Sequence, residues 1–224
     1  MKYLLTLLFS LVMLQHLAIA QEQIKYFTKP ERIDKDRYAN IKGSPMLFTT
    51  WRKSNLYSVY DTTFTEESLN YNGFSQELEV QTGDNEFVIL NSKFYYRVEI
   101  EDEKAPNGKI VLKKDAHPLF KQSFVQMIYE SDKIRVIKFF KARSSDMSAI
   151  EIGRAKNLIS FYRTSNYFLI DTNDTLVQLK TNKKSLLNTL GFEDQLEDYI
   201  TKETLDLSND ADLNRLFAYF DGLK

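Results

Sequence analysis

The chain has no cysteine, and it is poor in histidine, glycine and proline, with 2, 7 and 4 of these among its 224 residues. The lack of cysteine excludes disulfides, a thiol nucleophile and metal sites with sulfur ligands. Two histidines are too few for a zinc or copper site built mainly from imidazoles. The glycines form neither a Gly-x-Gly-x-x-Gly fingerprint nor a phosphate-binding loop. We therefore expect no cofactor and no metal.

An excess of charge of one sign is also missing. The sequence has 30 lysine and arginine residues against 31 aspartate and glutamate residues, a formal net charge of −1. A nucleic-acid-binding domain normally carries a basic patch or stripe, so we expect no nucleic-acid partner.

The first 20 residues have the pattern of a secretory signal peptide. Lys2 gives a short positive start, an apolar stretch follows, and Ala18-Ile19-Ala20 is a small-x-small cleavage site. No later apolar run reaches the roughly 20 residues of a membrane-spanning helix. We therefore expect cleavage after Ala20, an exported protein in the periplasm or outside the cell, and no transmembrane segment after cleavage.

Residues 21–42 are polar and highly charged, and we interpret them as an N-terminal arm. Gly43-Ser44-Pro45 then marks the entry to the folded part. We predict a single α+β domain over residues 43–224, with a β part at 43–181 and a helical part at 182–224.

The β part is predicted from alternating apolar and polar residues separated by turn-forming residues. Tyr96, Val98 and Ile100, for example, alternate with polar residues, and Asn72-Gly73 is typical of a tight turn. The predicted strands are 56–61, 66–71, 76–81, 86–90, 94–101, 109–113, 124–129, 134–140, 158–163, 167–171 and 176–180. We expect an antiparallel meander of about ten short strands, forming a curled sheet or a partly open barrel.

From residue 183 onwards the apolar residues recur with the period of a helix. Three stripes predict about three short C-terminal helices that bury one face against the sheet. The stripes are Leu186, Leu187 and Leu190; Leu196, Tyr199 and Ile200; and Leu213, Leu216, Phe217 and Phe220.

Several of these core and turn positions resemble a family of uncharacterised exported bacterial proteins. The resemblance implies export and a layout of strands followed by helices, and it implies no activity, so no catalytic residue follows from it. The residues that carry it are Gly43-Ser44-Pro45, Leu47, Trp51, Leu69-Asn70-Tyr71, residues 76–80, Tyr129-Glu130, Lys183-Lys184, Leu186-Leu187, Tyr199-Ile200, Leu205 and residues 213–219.

Carboxylates are plentiful, with 31 aspartate and glutamate residues in the chain. Four of them crowd residues 99–103, where a glycosidase pair would need two carboxyl groups about 5–9 Å apart across one bond. We interpret this cluster as a solvated strand end. Asp210, Asp212 and Asn214 have the spacing of a calcium loop, but Arg215 occupies the position that requires glycine. We therefore predict a helix rather than a calcium site.

Trp51 and His117 are the candidates for surface recognition. His117 is the only histidine after the signal peptide and precedes Pro118, which predicts a place in a connection. We expect an exported non-catalytic binding, scaffold or envelope-associated protein with a protein or glycan partner. The alternatives are a secreted or periplasmic hydrolase that uses paired carboxylates, and a protein that associates with a membrane surface. The sequence predicts no oligomeric state.

Overall fold

The computed structural model of the chain describes residues 31–145 and 159–223. The predicted signal peptide at 1–20 and residues 21–30 of the predicted arm lie outside the described residues. Within them, no helix combines the length and the apolar composition that a membrane crossing requires.

Over the described residues, twelve strands join in one sheet, which confirms the predicted strand-rich α+β class. The strands are β1 (Glu31–Ile33), β2 (Ile41–Lys42), β3 (Arg52–Ser58), β4 (Thr63–Asn72), β5 (Glu77–Gly83), β6 (Glu86–Ile89), β7 (Tyr95–Glu101), β8 (Lys109–Lys113), β9 (Val125–Glu130), β10 (Ile134–Ser144), β11 (Ile159–Asp171) and β12 (Leu176–Leu179).

The strand order is two meanders that share β3. From β3 the chain runs outward through β4 and β5 to β6, which also pairs with β1, and then returns to place β7 on the other side of β3. From β7 to β12 each strand pairs antiparallel with the next one along the chain. Within the described residues, the one parallel pairing is a short contact between β2 and β11. Strands β1 and β2 come from the segment that the sequence identified as a polar arm.

The sheet curls so far that the end of β4 reaches β10, although four strands lie between them in the strand order. The backbone N–H of Ala142 donates to the carbonyl of Gly73 at 2.8 Å, and the buried rings of Tyr71, Phe124 and Phe140 pack together inside the curl. A Cβ added at Gly73 would lie 2.3 Å from Cε1 of Phe140. Glycine is therefore required here by close approach.

Three helices follow the sheet, as the stripes predicted: α1 (Lys183–Leu190), α2 (Glu193–Lys202) and α3 (Asp210–Leu223). The side chain of Asn182 caps α1 by accepting from the N–H of Ser185 at 3.0 Å. The apolar faces of the helices bury the strand residues Ile128, Val136 and Leu169. This core lies on one face of β9–β12 only, so the other half of the sheet folds over a core of its own.

Several strands begin or end at other residues than predicted, and two predicted strands are in fact one. The sequence suggested separate strands at 158–163 and 167–171, but β11 is continuous over 13 residues. It pairs with β10 from Phe161↔Ser144 to Asp171↔Ile134 without interruption. This long ladder holds the turn-forming residues between Arg163 and Tyr167 in an extended conformation.

Candidate functional site

A cleft of about 220 Å³ opens where β8 and β9 separate, and the first turns of α3 form one of its walls. The two strands pair only from Lys113↔Val125 to Val111↔Met127. On the cleft side of these pairs, the start of β8 leads back to residues 105–108, whereas the end of β9 stays beside β10 and α3. The polar and charged side chains of the cleft include Arg97, Asn107, Lys109, Gln126, Asp210 and Asn214.

The separation follows from an irregularity in β9. The ladder to β10 passes from Val136↔Tyr129 to Ile137↔Met127, so Ile128 has no partner in the register. Its carbonyl instead accepts a hydrogen bond from the Asn214 amide at 2.6 Å. This extra residue bends β9 away from β8, and Asn214 satisfies the carbonyl group that the bend exposes.

The opposite wall is a single 3₁₀ turn, Pro106–Gly108. Asn107 and Gly108 have φ angles of 57° and 71°, a left-handed conformation that asparagine and glycine tolerate best. The carbonyl of Gly108 accepts from the N–H of Asp102 at 2.9 Å, which closes the connection between β7 and β8. This turn places the exposed side chain of Asn107 at the rim.

Glu99 does not belong to a solvated strand end, because it is buried beneath two cations. Lys109 donates to its Oε2 at 2.7 Å, and Arg97 donates to its Oε1 at 2.5 Å. Burial acts to raise the pKa of Glu99, but the hydrogen bonds from Lys109 and Arg97 outweigh it, and the pKa lies below its ordinary value. Glu99 is therefore an ionised structural residue that holds the two cations at the cleft.

Asp210 anchors the first turn of α3 to a row of three strand residues. Gln126, Lys138 and Tyr167 are direct neighbours across β9, β10 and β11. The Lys138 ammonium and the Gln126 amide donate to Asp210 Oδ2 at 2.7 and 2.9 Å, and the Tyr167 hydroxyl donates to Oδ1 at 2.8 Å. Burial and the nearby carboxylate both raise the pKa of Tyr167, which keeps its proton on the hydroxyl.

Helix α3 spans Asp210–Leu223, which confirms the helix prediction for residues 210–221. Asp210 and Asn214 bind sheet residues from within this helix. Among the described residues, no group of three or more histidine or acidic side chains could hold a metal ion.

The acids around the cleft are all engaged by cations. Besides Glu99, Asp210 pairs with Lys138 at 2.7 Å, and Glu130 pairs with Lys113 at 2.5 Å. A glycosidase-type acid requires a raised pKa, and the pKa of Glu99 is shifted in the opposite direction. The donors Arg97, Lys109, Gln126 and Asn214 are held in place by internal hydrogen bonds. The arrangement offers a ligand their remaining N–H groups, the exposed amide of Asn107 and fixed charges.

Trp51 and His117 lie outside this cleft and on different parts of the sheet. Trp51 is half-buried just before β3, with its ring centre 5.2 Å from that of Phe87 in β6. The structure does not bring Trp51 and His117 together at the cleft.

His117 lies in the connection between β8 and β9, as its sequence context predicted. Its Nδ1 accepts from the N–H of Leu119 at 3.2 Å, so the neutral ring carries its proton on Nε2, which lies 3.1 Å from the carbonyl oxygen of Asp174. Arg135 donates to the carbonyl of Ala116 at 2.9 Å and also pairs with Asp174. His117 and Arg135 together hold this connection against the turn between β11 and β12.

Arg97, Lys109, Gln126 and Asn214 were not predicted from the sequence to share a cleft. They come from three strands and one helix, and no local motif joins them. No family model, curated protein or solved structure matches the chain.

Proposed function

We propose that this chain is an exported, non-catalytic binding protein that recognises its partner through the cleft between β8, β9 and α3. The observation that supports the proposal is an open, donor-rich cleft whose neighbouring acids are occupied by cations. A hydrolase with paired carboxylates would need one free acid and one free base beside the bond to be cleaved.

The size of the cleft bounds what it accepts. At about 220 Å³ it is smaller than the roughly 300–1,000 Å³ of sites that enclose a drug-sized molecule. It fits one sugar unit or one inserted amino-acid side chain. The proposed partner is therefore a glycan or a protein that presents such a group.

A thermal-shift screen tests the proposal with a panel of monosaccharides and N-acetyl amino-acid amides. A panel member at roughly ten times its Kd should stabilise the protein by about 1.4 kcal/mol and raise Tm by about 3–6 °C. Ala105 lines the cleft, and Ala105→Trp should fill it and abolish this shift. Ala218, exposed on α3, provides the control Ala218→Trp, which should keep the shift.

Two outcomes would contradict the proposal. One is a panel in which no member raises Tm. The other is a Tm shift that survives Ala105→Trp unchanged, because the ligand would then bind elsewhere.

A further inference from the structure

The outer edge of β11 is covered at its two ends and open between them. β12 pairs with Tyr167–Ile170, and β2 pairs with Ile159 and Ser160. Between these contacts, residues 161–166 pair only with β10 in the described part of the chain. Six extended residues span about 20 Å, so the sheet has a notch of that length in one edge.

Exposure along β11 agrees with an open edge. A strand with one buried face normally alternates between buried and exposed residues. Residues 162–165 are instead exposed one after another, and Tyr162 has 58% of its surface accessible. The middle of this strand is therefore accessible from its edge as well as from its faces.

The backbone groups at the notch point outward. Ser145, which directly follows β10, donates its N–H to the carbonyl of Ser160 at 2.8 Å, so the backbone of Ser160 faces β10. The N–H of Asp171 instead donates to the carbonyl of Thr175, on the β12 side, at 3.2 Å. Successive residues of an antiparallel strand direct their N–H and C=O groups to opposite edges. Phe161 faces away from β10 but is buried beside β2, where a Cβ added at Gly43 would lie 3.7 Å from its carbonyl oxygen. The open backbone groups that face away from β10 are therefore those of Arg163 and Ser165.

The notch is also basic. Lys141 and Arg143 on β10 lie opposite Thr164 and Tyr162, and Arg163 belongs to the open stretch itself. The Arg163 guanidinium donates to the carbonyl of Met46 at 3.2 Å. None of the three cations forms an ion pair with an acid among residues 31–145 and 159–223.

We propose that residues 161–166 bind an extended acidic segment of a partner protein by strand addition. Backbone groups of the open edge would supply main-chain hydrogen bonds, and β2 and β12 would limit the added strand to about six residues. The three cations favour an acidic partner and disfavour a second copy of the chain, since two such edges would place like charges opposite each other. This surface is separate from the cleft, so either proposal can fail alone.

Labelled eight-residue peptides provide the first test, with threonine alternating with glutamate, glutamine or lysine in three series. Fluorescence anisotropy should show saturable binding of the glutamate series, and binding at least roughly ten-fold weaker for the other two. Failure of the glutamate series to saturate up to roughly 1 mM would overturn the proposal.

Two variants separate strand addition from simple charge attraction. Ser165→Pro removes an outward N–H that β10 does not use, and Ser165→Thr is its matched control. Arg163→Glu reverses one charge at the notch, and Lys184→Glu on α1 is its control. We expect Ser165→Pro and Arg163→Glu each to weaken binding at least roughly ten-fold, and both controls to bind normally. Unchanged binding by Ser165→Pro would overturn strand addition.

Hydrogen exchange on the unmodified protein keeps the test decisive even where Ser165→Pro does not fold. The amides of Arg163 and Ser165 should exchange more slowly once the glutamate peptide is bound, because an added strand accepts their hydrogen bonds. Unchanged exchange at saturating peptide would contradict the proposal. Heparin binding with no slowing by the acidic peptide would instead indicate a site for anionic polymers.

Discussion

Removal of the Asp210 carboxylate should weaken the docking of α3 on the sheet. Asp210→Ala leaves Gln126, Lys138 and Tyr167 without the acceptor that they share. Loss of one partner of a fully buried ion pair costs about 3–5 kcal/mol. The Lys138 and Asp210 side chains keep 19% and 22% of their surface exposed, so solvent compensates part of that loss. We expect a loss of about 2–4 kcal/mol in the free energy of unfolding at neutral pH.

Two further variants identify charge as the cause. Asp210→Asn keeps the shape and an acceptor oxygen but loses the charge, so it should cost about 1–2 kcal/mol. Adding Lys138→Met to Asp210→Ala removes the uncompensated cation, so the double variant should lose less stability than the two single variants together. Asp210→Asn should also lower the pKa of Tyr167 towards its ordinary value, which titration of tyrosine absorbance measures.

Urea unfolding followed by circular dichroism measures these losses as changes of midpoint at constant slope. Asp198→Ala, which changes an exposed acid on α2, should change stability by less than about 0.5 kcal/mol. A loss below about 0.5 kcal/mol for Asp210→Ala as well would refute the argument that this carboxylate anchors α3.

Three other predictions concern the buried acid, the close-packed glycine and the leader. Because the pKa of Glu99 is lowered in the folded protein, its charge stabilises the fold above the ordinary glutamate pKa, and this stability is lost as the pH falls through the folded-state pKa. The free energy of unfolding should therefore fall less steeply with acid in Glu99→Gln than in the unchanged protein. An equal fall in both would contradict the buried group of Glu99, Arg97 and Lys109. Gly73→Ala should cost about 1–3 kcal/mol by urea unfolding, because its methyl group would overlap Phe140; a neutral result would contradict the close approach. If residues 1–20 act as the predicted signal peptide, Ala18→Lys should block cleavage after Ala20, whereas the unchanged chain should begin at Gln21 by intact mass; a mature protein with an uncut leader would contradict the signal prediction.

Periodicity predicted most strands and all three helices of the described chain, because one face of each element is buried. It failed where the tertiary structure overrides the local pattern. Tyr96 was expected on the face of Val98, but Tyr95 is buried and Tyr96 is exposed. The β3–β7 register shifts between Tyr57 and Ser58, which moves the alternation by one residue.

The cleft could not be predicted, because it depends on where two strands separate rather than on a motif. The calcium-loop spacing did single out Asp210 and Asn214 as closely placed polar residues. Their partners, the Lys138 ammonium and the carbonyl of Ile128, lie far away in the sequence. Only the strand register brings these groups to α3.

Chemical-shift mapping with the strongest ligand of the panel tests most directly whether the cleft binds without turnover. We expect shift changes centred on Asn107, Ile128 and Asn214, with the ligand spectrum unchanged over days. Changes confined to the surroundings of Trp51 or His117, or conversion of the ligand to a product, would contradict it.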